Sequence, residues 1–238
     1  MSLFGFYTMQ FLNLSLCSFP KAGSTMNQNI VQRALHLNDE DGQVTDCHAS
    51  WDFVFRDNGS ALKSRGVSFE YSPNTTNIAI IRDPWDRAVS EYADQIRRGH
   101  ILANSSFYDF LTRYVPRHEA YQKHVAHAAD MCIGSPNARF DHIIEISDIS
   151  SFYRVSRIVP SFGKLINAGW ERCTGGSPSL YMPGSIASHR NKDVHMKTKL
   201  CNPRNLQQVC QQYARDYVLY KELGHPFACE CPRVVTAN

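Results

Sequence analysis

The feature that most constrains this chain is a unit in which a strand runs through a loop into a helix. The short apolar segment 11–17 leads into the sequence PKAGST at 20–25, which predicts a strand followed by a turn. In 26–35, apolar residues recur at spacings of three and four, which indicates an amphipathic helix. The loop therefore opens onto a helix start, where unpaired backbone N–H groups collect.

A second unit of the same kind follows. The β-branched run 78–81 is typical of a strand that is covered on both faces. Asp83 is expected to cap the next helix, and Pro84 to occupy its first position. Trp85 begins a helical apolar stripe that continues to Ile96, so we expect this tryptophan in the core.

The rest of the chain continues the alternation of strands and helices. The sequence predicts a capped helix over 106–115, an interior strand over 140–146, a helix over 151–159 and a final helix over 206–220, which ends before Gly224. This order predicts an α/β fold, with a central parallel sheet between two helical layers in a three-layer α/β/α arrangement.

The domain organisation is expected to be simple. A chain of 238 residues suits one domain over 1–238, and it shows neither an internal repeat nor a linker between two domains. The segments 38–77 and 160–203 are rich in polar and turn-forming residues, so we expect loops there. These loops are expected to contact the substrate of any active site.

Composition excludes several classes of protein. Hydrophobic residues make up 43% of the chain, which is enough for a core. The formal net charge is +3, and no long run of Lys or Arg occurs. A slight charge of this kind fits an anionic ligand in a local pocket and does not fit a surface that coats nucleic acid.

The cysteines bear on the cellular compartment. There are eight, an even number, mostly outside the predicted helices and strands, as in a disulfide-bearing luminal protein. A reduced cytosolic chain with buried thiols is the alternative. Zinc binding is disfavoured because Cys229 and Cys231 are separated by one residue, which is shorter than the usual spacer between ligands.

Two further features bear on secretion and membrane attachment. Four Asn-x-Ser/Thr triplets favour a glycosylated luminal protein: Asn13, Asn58, Asn74 and Asn104. Asn13 lies inside the predicted strand 11–17. The apolar segment 1–19 has no basic leader and is interrupted by polar residues, so it predicts no membrane span, and any membrane anchor is expected outside this chain.

The loop at 20–25 has the chemistry of an anion site. Its glycine-containing turn offers backbone N–H groups at a helix start, Lys21 adds a cation, and Ser24 and Thr25 add hydroxyl donors. It is not the nucleotide-binding pattern G-x-x-x-x-G-K-[ST], because Lys21 precedes Gly23. By itself the loop fits an ordinary turn with a surface lysine equally well.

A second candidate site lies in the other unit. Arg82 follows a predicted strand at its carboxyl end, where ligands of open α/β sheets bind. Ser90 lies two turns into the following helix, and together with Arg82 it predicts a grip on a second phosphate. We expect Arg87, between them, to be a solvated helix residue.

These motifs resemble those of the sulfotransferases, specifically the Golgi carbohydrate branch. The sequence PKAGST is similar to the family's 5′-phosphosulfate loop, and IRDPWDRAVSEY at 81–92 is similar to its 3′-phosphate motif. Weaker similarities are the spacing from His124 to Cys132, and the sequences HRN and YARDYVLY near the C-terminus. Val125 departs from the family's usual tryptophan, and EISD at 145–148 also departs from its usual pattern.

The resemblance implies a P-loop NTPase-like sulfotransferase fold and a Golgi location; a cytoplasmic one follows only if the thiols are reduced. It also implies 3′-phosphoadenosine 5′-phosphosulfate (PAPS) as donor, without a metal, and a carbohydrate or other hydroxyl as acceptor. Lys21 is the implied catalytic residue. The implied donor-binding residues are Pro20, Lys21, Ala22, Gly23, Ser24, Thr25, Arg82 and Ser90.

A general base would take the proton of the acceptor hydroxyl. The spacing of the ten histidines selects none of them. His124 is the preferred candidate, with His48 and Glu145 behind it. Two other functions stay open at this point. One is a P-loop-type kinase, which needs Mg²⁺ and a lysine after the glycine. The other is a non-catalytic module that binds a phosphonucleotide.

Overall fold

The computed structural model describes five segments of the chain: 5–18, 67–68, 70–118, 126–167 and 196–231. The fold and the contacts given below are those of these five segments. The predicted helix over 26–35 and the apolar segment 51–55 lie outside the described residues.

The described strands form one sheet in the spatial order β3-β1-β2-β4-β5. They are β1 Gly5–Met9, β2 Leu14–Ser18, β3 Val67–Ser68, β4 Thr76–Ile81 and β5 His142–Glu145.

The described helices lie on both sides of β5 in the chain. They are α1 Pro84–Arg97, α2 Phe107–Asp109, α3 Val115–His118, α4 Ile149–Ile158, α5 Pro160–Asn167, α6 Pro203–Gln212 and α7 Ala214–Glu222. A π-helical turn, Phe110–Tyr114, joins α2 to α3, and residues 196–200 are also helical. Single 3₁₀ turns occupy Gln10–Leu12, Ala128–Asp130 and Cys132–Gly134.

The chain divides into two compact units. The sheet unit contains the described residues 5–18, 67–68, 70–81 and 135–167. The helical unit contains 82–118, 126–134 and 196–231.

The sheet is mixed. β2, β4 and β5 are parallel neighbours, as the alternation of strands and helices predicted. β1 runs antiparallel to both β2 and β3, which the sequence did not predict. The α/β class is therefore confirmed. The expectation of a wholly parallel sheet is wrong for β1, which is antiparallel to both of its neighbours.

The turn between β1 and β2 corrects the predicted strand 11–17. Asn13 is exposed and has φ of 50°, in the left-handed region that a short polar side chain tolerates. Phe11 lies in a 3₁₀ turn before it, so the strand begins only at Leu14. Asn13 thus joins two strands and does not lie within one.

One face of the sheet holds the core of its unit. Successive side chains of a strand point to opposite faces, so Leu16, Ile78 and Ile144 lie on the same side, and all three are completely buried. Helices α4 and α5 cover this face with Phe152 and Phe162, which belong to the same cluster.

The pair α4 and α5 packs closely. Asp148 caps α4 by accepting a hydrogen bond from Ser151 N at 3.2 Å. Gly163 of α5 lies so near the Ser156 carbonyl oxygen that a Cβ there would overlap it. The predicted helix 151–159 is confirmed, whereas α5 was not predicted, because it lies in a stretch with the composition of a loop.

The helical unit has an aromatic core. Trp85 is 2% exposed and meets Phe107 edge to face, with 5.7 Å between the ring centroids. Tyr92, two turns further along α1, contacts the same ring at 5.2 Å. The expected core position of Trp85 and the helix predicted over 106–115 are both confirmed, and Ser106 caps that helix by accepting from Asp109 N at 3.0 Å.

Two disulfides close the end of the helical unit. Cys201 bonds Cys231 and Cys210 bonds Cys229, with Cα–Cα distances of 5.7 Å and 5.9 Å. Cys17 and Cys132 each take part in a disulfide as well. The expectation of a disulfide-bearing chain is thus confirmed for the described cysteines.

The predicted final helix over 206–220 consists of two helices. α6 ends at Gln212 and α7 begins at Ala214, with Tyr213 outside helical geometry at ψ of 24°. Gly224 follows α7 with φ of 78°, as expected for the residue that ends a helix.

Candidate functional site

Three neighbouring strands end at one edge of the sheet. β2, β4 and β5 are parallel, and their register pairs Cys17 with Ala79 and Ile81 with Glu145. The carboxyl ends of these strands therefore lie side by side. In open α/β sheets this edge is where ligands bind.

Two of the sequence-predicted donor motifs follow these strands in the chain. Pro20 is the second residue after Ser18, the last residue of β2. Arg82 directly follows Ile81, the last residue of β4, and is half-buried. The loop 20–25 itself lies outside the described residues.

Glu145, the third candidate for the base, is the last residue of β5. It is half-buried, and its carboxylate accepts a hydrogen bond from the Ser147 hydroxyl. Its register partner is Ile81, so it occupies the same sheet edge as the end of β4. His124 and His48, the other two candidates, lie outside the described residues.

Helix α1 begins as predicted. The Asp83 carboxylate accepts from Trp85 N at 2.7 Å, and Pro84 takes the first helical position. The cap thus pairs a backbone N–H group of the first helical turn. Arg82 immediately precedes the capping residue Asp83.

Ser90 lies on the accessible side of α1. Its neighbours Val89 and Glu91 are buried, whereas Ser90 is half-exposed in a stripe with Asp86 and Ala93 at helical spacing. The stripe is polar at its start, where Asp86 forms an ion pair with Lys197. Ser90 lies about 9 Å along the helix axis from the first helical residue.

Arg87 corrects the sequence interpretation. It was expected to be solvated, but it is 1% exposed. Its guanidinium lies 2.9 Å from the carboxylate of Asp216, which is completely buried in α7, and also donates to the carbonyl of Ala126. A charge inside the unit requires a partner, and here the partner is 129 positions away in the chain.

Asp216 also holds the segment after residue 125. Its Oδ1 accepts from Ala129 N at 3.1 Å, and His127 Nδ1 lies 3.7 Å from the same oxygen. Burial by itself would raise the pKa of Asp216, but the nearby His127 side chain and the charge of Arg87 hold the pKa below its usual value. The ion pair therefore joins α1, α7 and the segment 126–130.

A comparison with protein families decides the identity of the chain. The model of the sulfotransferase family matches residues 5–221, which is most of the sequence. The chain belongs to the sulfotransferase family. Comparisons with curated proteins and with solved structures give no match.

Membership makes this protein a transferase of sulfo groups that acts on a hydroxyl-bearing acceptor. The match includes 20–25, Arg82, Ser90 and Glu145, so the candidate site lies within the family region. The resemblance to sulfotransferases that the sequence motifs indicated is thereby confirmed at the level of the family.

Metal ligands and membrane spans can be judged only in the segments that the structure describes. In those segments, no cluster of three or more His, Cys, Asp or Glu side chains is arranged to hold a metal ion. None of the helices there has the length and apolar character that crossing a bilayer requires.

Proposed function

We propose that this sulfotransferase moves the sulfuryl group of 3′-phosphoadenosine 5′-phosphosulfate to a carbohydrate hydroxyl. The observation that carries the proposal is the common edge at which the parallel strands β2, β4 and β5 end. The loop 20–25 and Arg82 follow two of these strands directly, and Glu145 closes the third. A three-layer, P-loop-like arrangement around this edge is part of the proposal.

In the proposed donor site, the loop 20–25 binds the 5′-phosphosulfate. Backbone N–H groups and the hydroxyls of Ser24 and Thr25 donate to its oxygens, and Lys21 supplies the cation. Arg82 and Ser90 bind the 3′-phosphate. Arg82 and Ser90 are both partly exposed, which is compatible with this role.

The reaction is an in-line displacement at sulfur. A bond forms between the acceptor oxygen and sulfur, while the bond from sulfur to the 5′-phosphate oxygen breaks. Negative charge grows on that phosphate oxygen, and Lys21 with the loop N–H groups stabilises it there. The proton of the acceptor hydroxyl passes to a base, for which His124 is the first candidate and His48 and Glu145 are the others.

The loop-rich segments 38–77 and 160–203 are proposed to contact the acceptor, as expected from the sequence. Only parts of these segments are described: 67–68 and 70–77 in the first, and 160–167 and 196–203 in the second. We also propose that residues 1–238 form one domain.

A luminal, oxidising compartment such as the Golgi fits this function. The described cysteines are disulfide-bonded, which is typical of secreted and luminal proteins. Asn13, Asn74 and Asn104, which begin three of the acceptor triplets for glycosylation, are exposed.

The central experiment measures transfer of labelled sulfate from the donor to a panel of glycans. Lys21→Ala is expected to abolish transfer and to leave the fold intact. The matched control is Lys221→Ala, which removes an exposed lysine of α7 and is expected to keep full activity. Transfer by Lys21→Ala at the rate of the unmodified protein would refute the assignment of the loop.

Two further measurements separate the alternative functions. A kinase would lose activity in EDTA because its phosphates need Mg²⁺, whereas transfer of sulfate is expected to persist. A non-catalytic module would bind adenosine 3′,5′-bisphosphate in calorimetry yet transfer sulfate to no glycan of the panel.

A further inference from the structure

A cavity of about 740 Å³ lies within the helical unit, and its lining includes none of the residues of the proposed donor site. Its walls come from α1, from the residues 106–113 and from the residues 199–205. The volume is in the range of about 300–1,000 Å³ that sites for small ligands occupy.

The lining of the cavity is apolar in part. Tyr92 and Phe107 are 8% and 2% exposed, and half-buried Leu200 lies beside them. Polar side chains complete the wall, among them Thr112 and Asn202. An apolar surface beside hydrogen-bonding groups suits a sugar ring, which has C–H faces and hydroxyl edges.

The charge of the cavity is predominantly positive. Its lining contains Arg113, Lys199 and Arg204, against one carboxylate, Asp109. Arg113 is engaged with that carboxylate, with 3.4 Å between Nε and Oδ1. Within the described residues, Lys199 and Arg204 form no ion pair, so two exposed cations remain to attract an anion.

The Arg204 side chain is held in position. Its guanidinium lies over the ring of Tyr108, 3.6 Å from the ring centroid. A cation fixed in this way loses less conformational entropy when it binds an anion than a free side chain does.

The start of α6 adds to the positive potential. Asn202 caps this helix by accepting from Asn205 N at 3.0 Å, and Pro203 is its first residue. Arg204 therefore lies in the first helical turn, where the helix dipole is positive and favours negative ligands.

We propose that this cavity binds the acidic group, a carboxylate or a sulfate ester, of a sugar unit in the acceptor, with Lys199 and Arg204 as its cations. The inference rests on the proposed function in that it takes the acceptor to be a carbohydrate. It narrows that acceptor to an acidic glycan and assigns a subsite that recognises it. A neutral glycan would leave both cations without a counter-charge.

Binding of three hexasaccharides to the full chain tests the subsite by calorimetry. Hyaluronan hexasaccharide carries carboxylates only, chondroitin sulfate hexasaccharide adds sulfate esters, and chitin hexasaccharide is neutral. At least one acidic hexasaccharide is expected to bind about tenfold more tightly than the neutral one, a difference of about 1.4 kcal/mol. Tight binding of hyaluronan identifies the carboxylate as sufficient, and binding of chondroitin sulfate alone identifies the sulfate ester.

The matched variants identify the cavity. Lys199→Ala with Arg204→Ala is expected to remove the preference for the acidic hexasaccharides. The control, Arg117→Ala with Lys221→Ala, removes the same two residue types from exposed positions outside the cavity lining and is expected to retain the preference. All four side chains are exposed, so folding is expected to persist, and thermal unfolding verifies it.

Equal affinity for the three hexasaccharides overturns the proposal, and so does an unchanged preference in the cavity variant. Failure of the proposed function looks different. Lys21→Ala is expected to bind the acidic hexasaccharide normally while transferring no sulfate. If Lys21→Ala keeps transfer, the donor assignment is wrong, whereas the binding data still decide the cavity.

Discussion

Arg87 of α1 and Asp216 of α7 form a buried ion pair, with 2.9 Å between their nearest atoms and 2% and 0% of the side chains exposed. Each charge compensates the other in a place that water does not reach. The Arg87 guanidinium also lies 5.5 Å from the centroid of the Tyr213 ring, at the break between α6 and α7. The pair thus fixes several elements of the helical unit at one point.

Removal of either partner is expected to destabilise the protein strongly. Arg87→Ala leaves the buried Asp216 carboxylate without its counter-ion, and the expected cost is about 3–5 kcal/mol of unfolding free energy. Replacement of both residues, Arg87→Met with Asp216→Leu, is expected to cost less than the sum of the two single changes, because no unpaired charge remains. Urea unfolding, with the disulfides intact, measures these values.

An exposed ion pair of the same helix is the control. The Arg97 side chain is 77% exposed and pairs with Asp94, which keeps Arg98 as a second partner at 2.8 Å. Arg97→Ala is expected to change stability by about 0–1 kcal/mol. Equal losses in Arg87→Ala and Arg97→Ala would contradict the importance of the buried pair.

The contrast between these arginines shows what sequence reasoning can reach. The strand β4 and the start of α1 were predicted correctly because their signals are local: a β-branched run, then Asp83 as cap and Pro84 at the first position. The burial of Arg87 depends on Asp216, which is 129 positions away. No spacing within α1 reveals such a partner.

The β1–β2 turn was missed for another physical reason. Hairpin turns are usually marked by glycine, whereas here Asn13 adopts the left-handed conformation by itself. Of the candidate site, the order of the motifs along the chain was sufficient to place Arg82 at a strand end. Glu145 was expected inside the strand 140–146 and is the last residue of β5. The cavity cation Lys199 was missed because it lies in the segment 160–203, which was predicted to be loop. Arg204 lies between that segment and the predicted final helix, so neither prediction included it.

A second prediction concerns the cap of α4. The Asp148 carboxylate accepts from the Ser150 and Ser151 hydroxyls and from Ser151 N, and these hydrogen bonds lower its pKa to about 2. Its stabilising contribution is therefore complete above the unfolded pKa of about 3.9 and is lost as the pH falls through about 2. The carboxyl carbon shift of Asp148, followed by NMR from pH 6 to pH 1.5, measures the midpoint.

Two substitutions separate the charge from the cap. Asp148→Asn still caps the helix and is expected to keep most of the stability at pH 7 while removing this titration. Asp148→Ala removes the cap and is expected to cost about 1 kcal/mol. An NMR midpoint near 4 for Asp148 would contradict the hydrogen bonding described here.

A third prediction concerns the contact between α4 and α5. Gly163→Ala places a methyl group against the Ser156 carbonyl oxygen, which is backbone and has little freedom to move. The expected cost is about 1–3 kcal/mol, as for other overpacked sites. Ser161→Ala, on the same helix but half-exposed, is the control and is expected to stay within about 0.5 kcal/mol in thermal or urea unfolding.

A fourth prediction concerns the proposed 3′-phosphate site. Arg82→Ala is expected to weaken binding of adenosine 3′,5′-bisphosphate by about 10–100-fold, since a hydrogen bond to a charged group contributes about 1.5–3 kcal/mol. Ser90→Ala is expected to weaken it only a few-fold. Arg157→Ala, an exposed arginine of α4, is the matched control. Calorimetry measures the affinities, and an unchanged value for Arg82→Ala would count against this site.

The last prediction concerns the two disulfides, one of which lies inside the loop closed by the other. The Cys201–Cys231 bond spans 30 positions and the Cys210–Cys229 bond spans 19. In the chain-entropy description, either bond by itself restricts the unfolded chain by about 3–4 kcal/mol at 25 °C.

Because one loop encloses the other, the two contributions are not additive. Once Cys201–Cys231 is closed, the ends of the inner loop are already near each other in the unfolded chain, so the inner bond removes less entropy. Replacement of all four cysteines by serine is therefore expected to cost more than either pairwise replacement, because the second bond also restricts the chain when it is the only one left. Urea unfolding of the pairwise and fourfold variants measures the costs. Suppose that the fourfold variant is as stable as the more stable of the two pairwise variants. The disulfide that remains in that pairwise variant would then contribute nothing to stability.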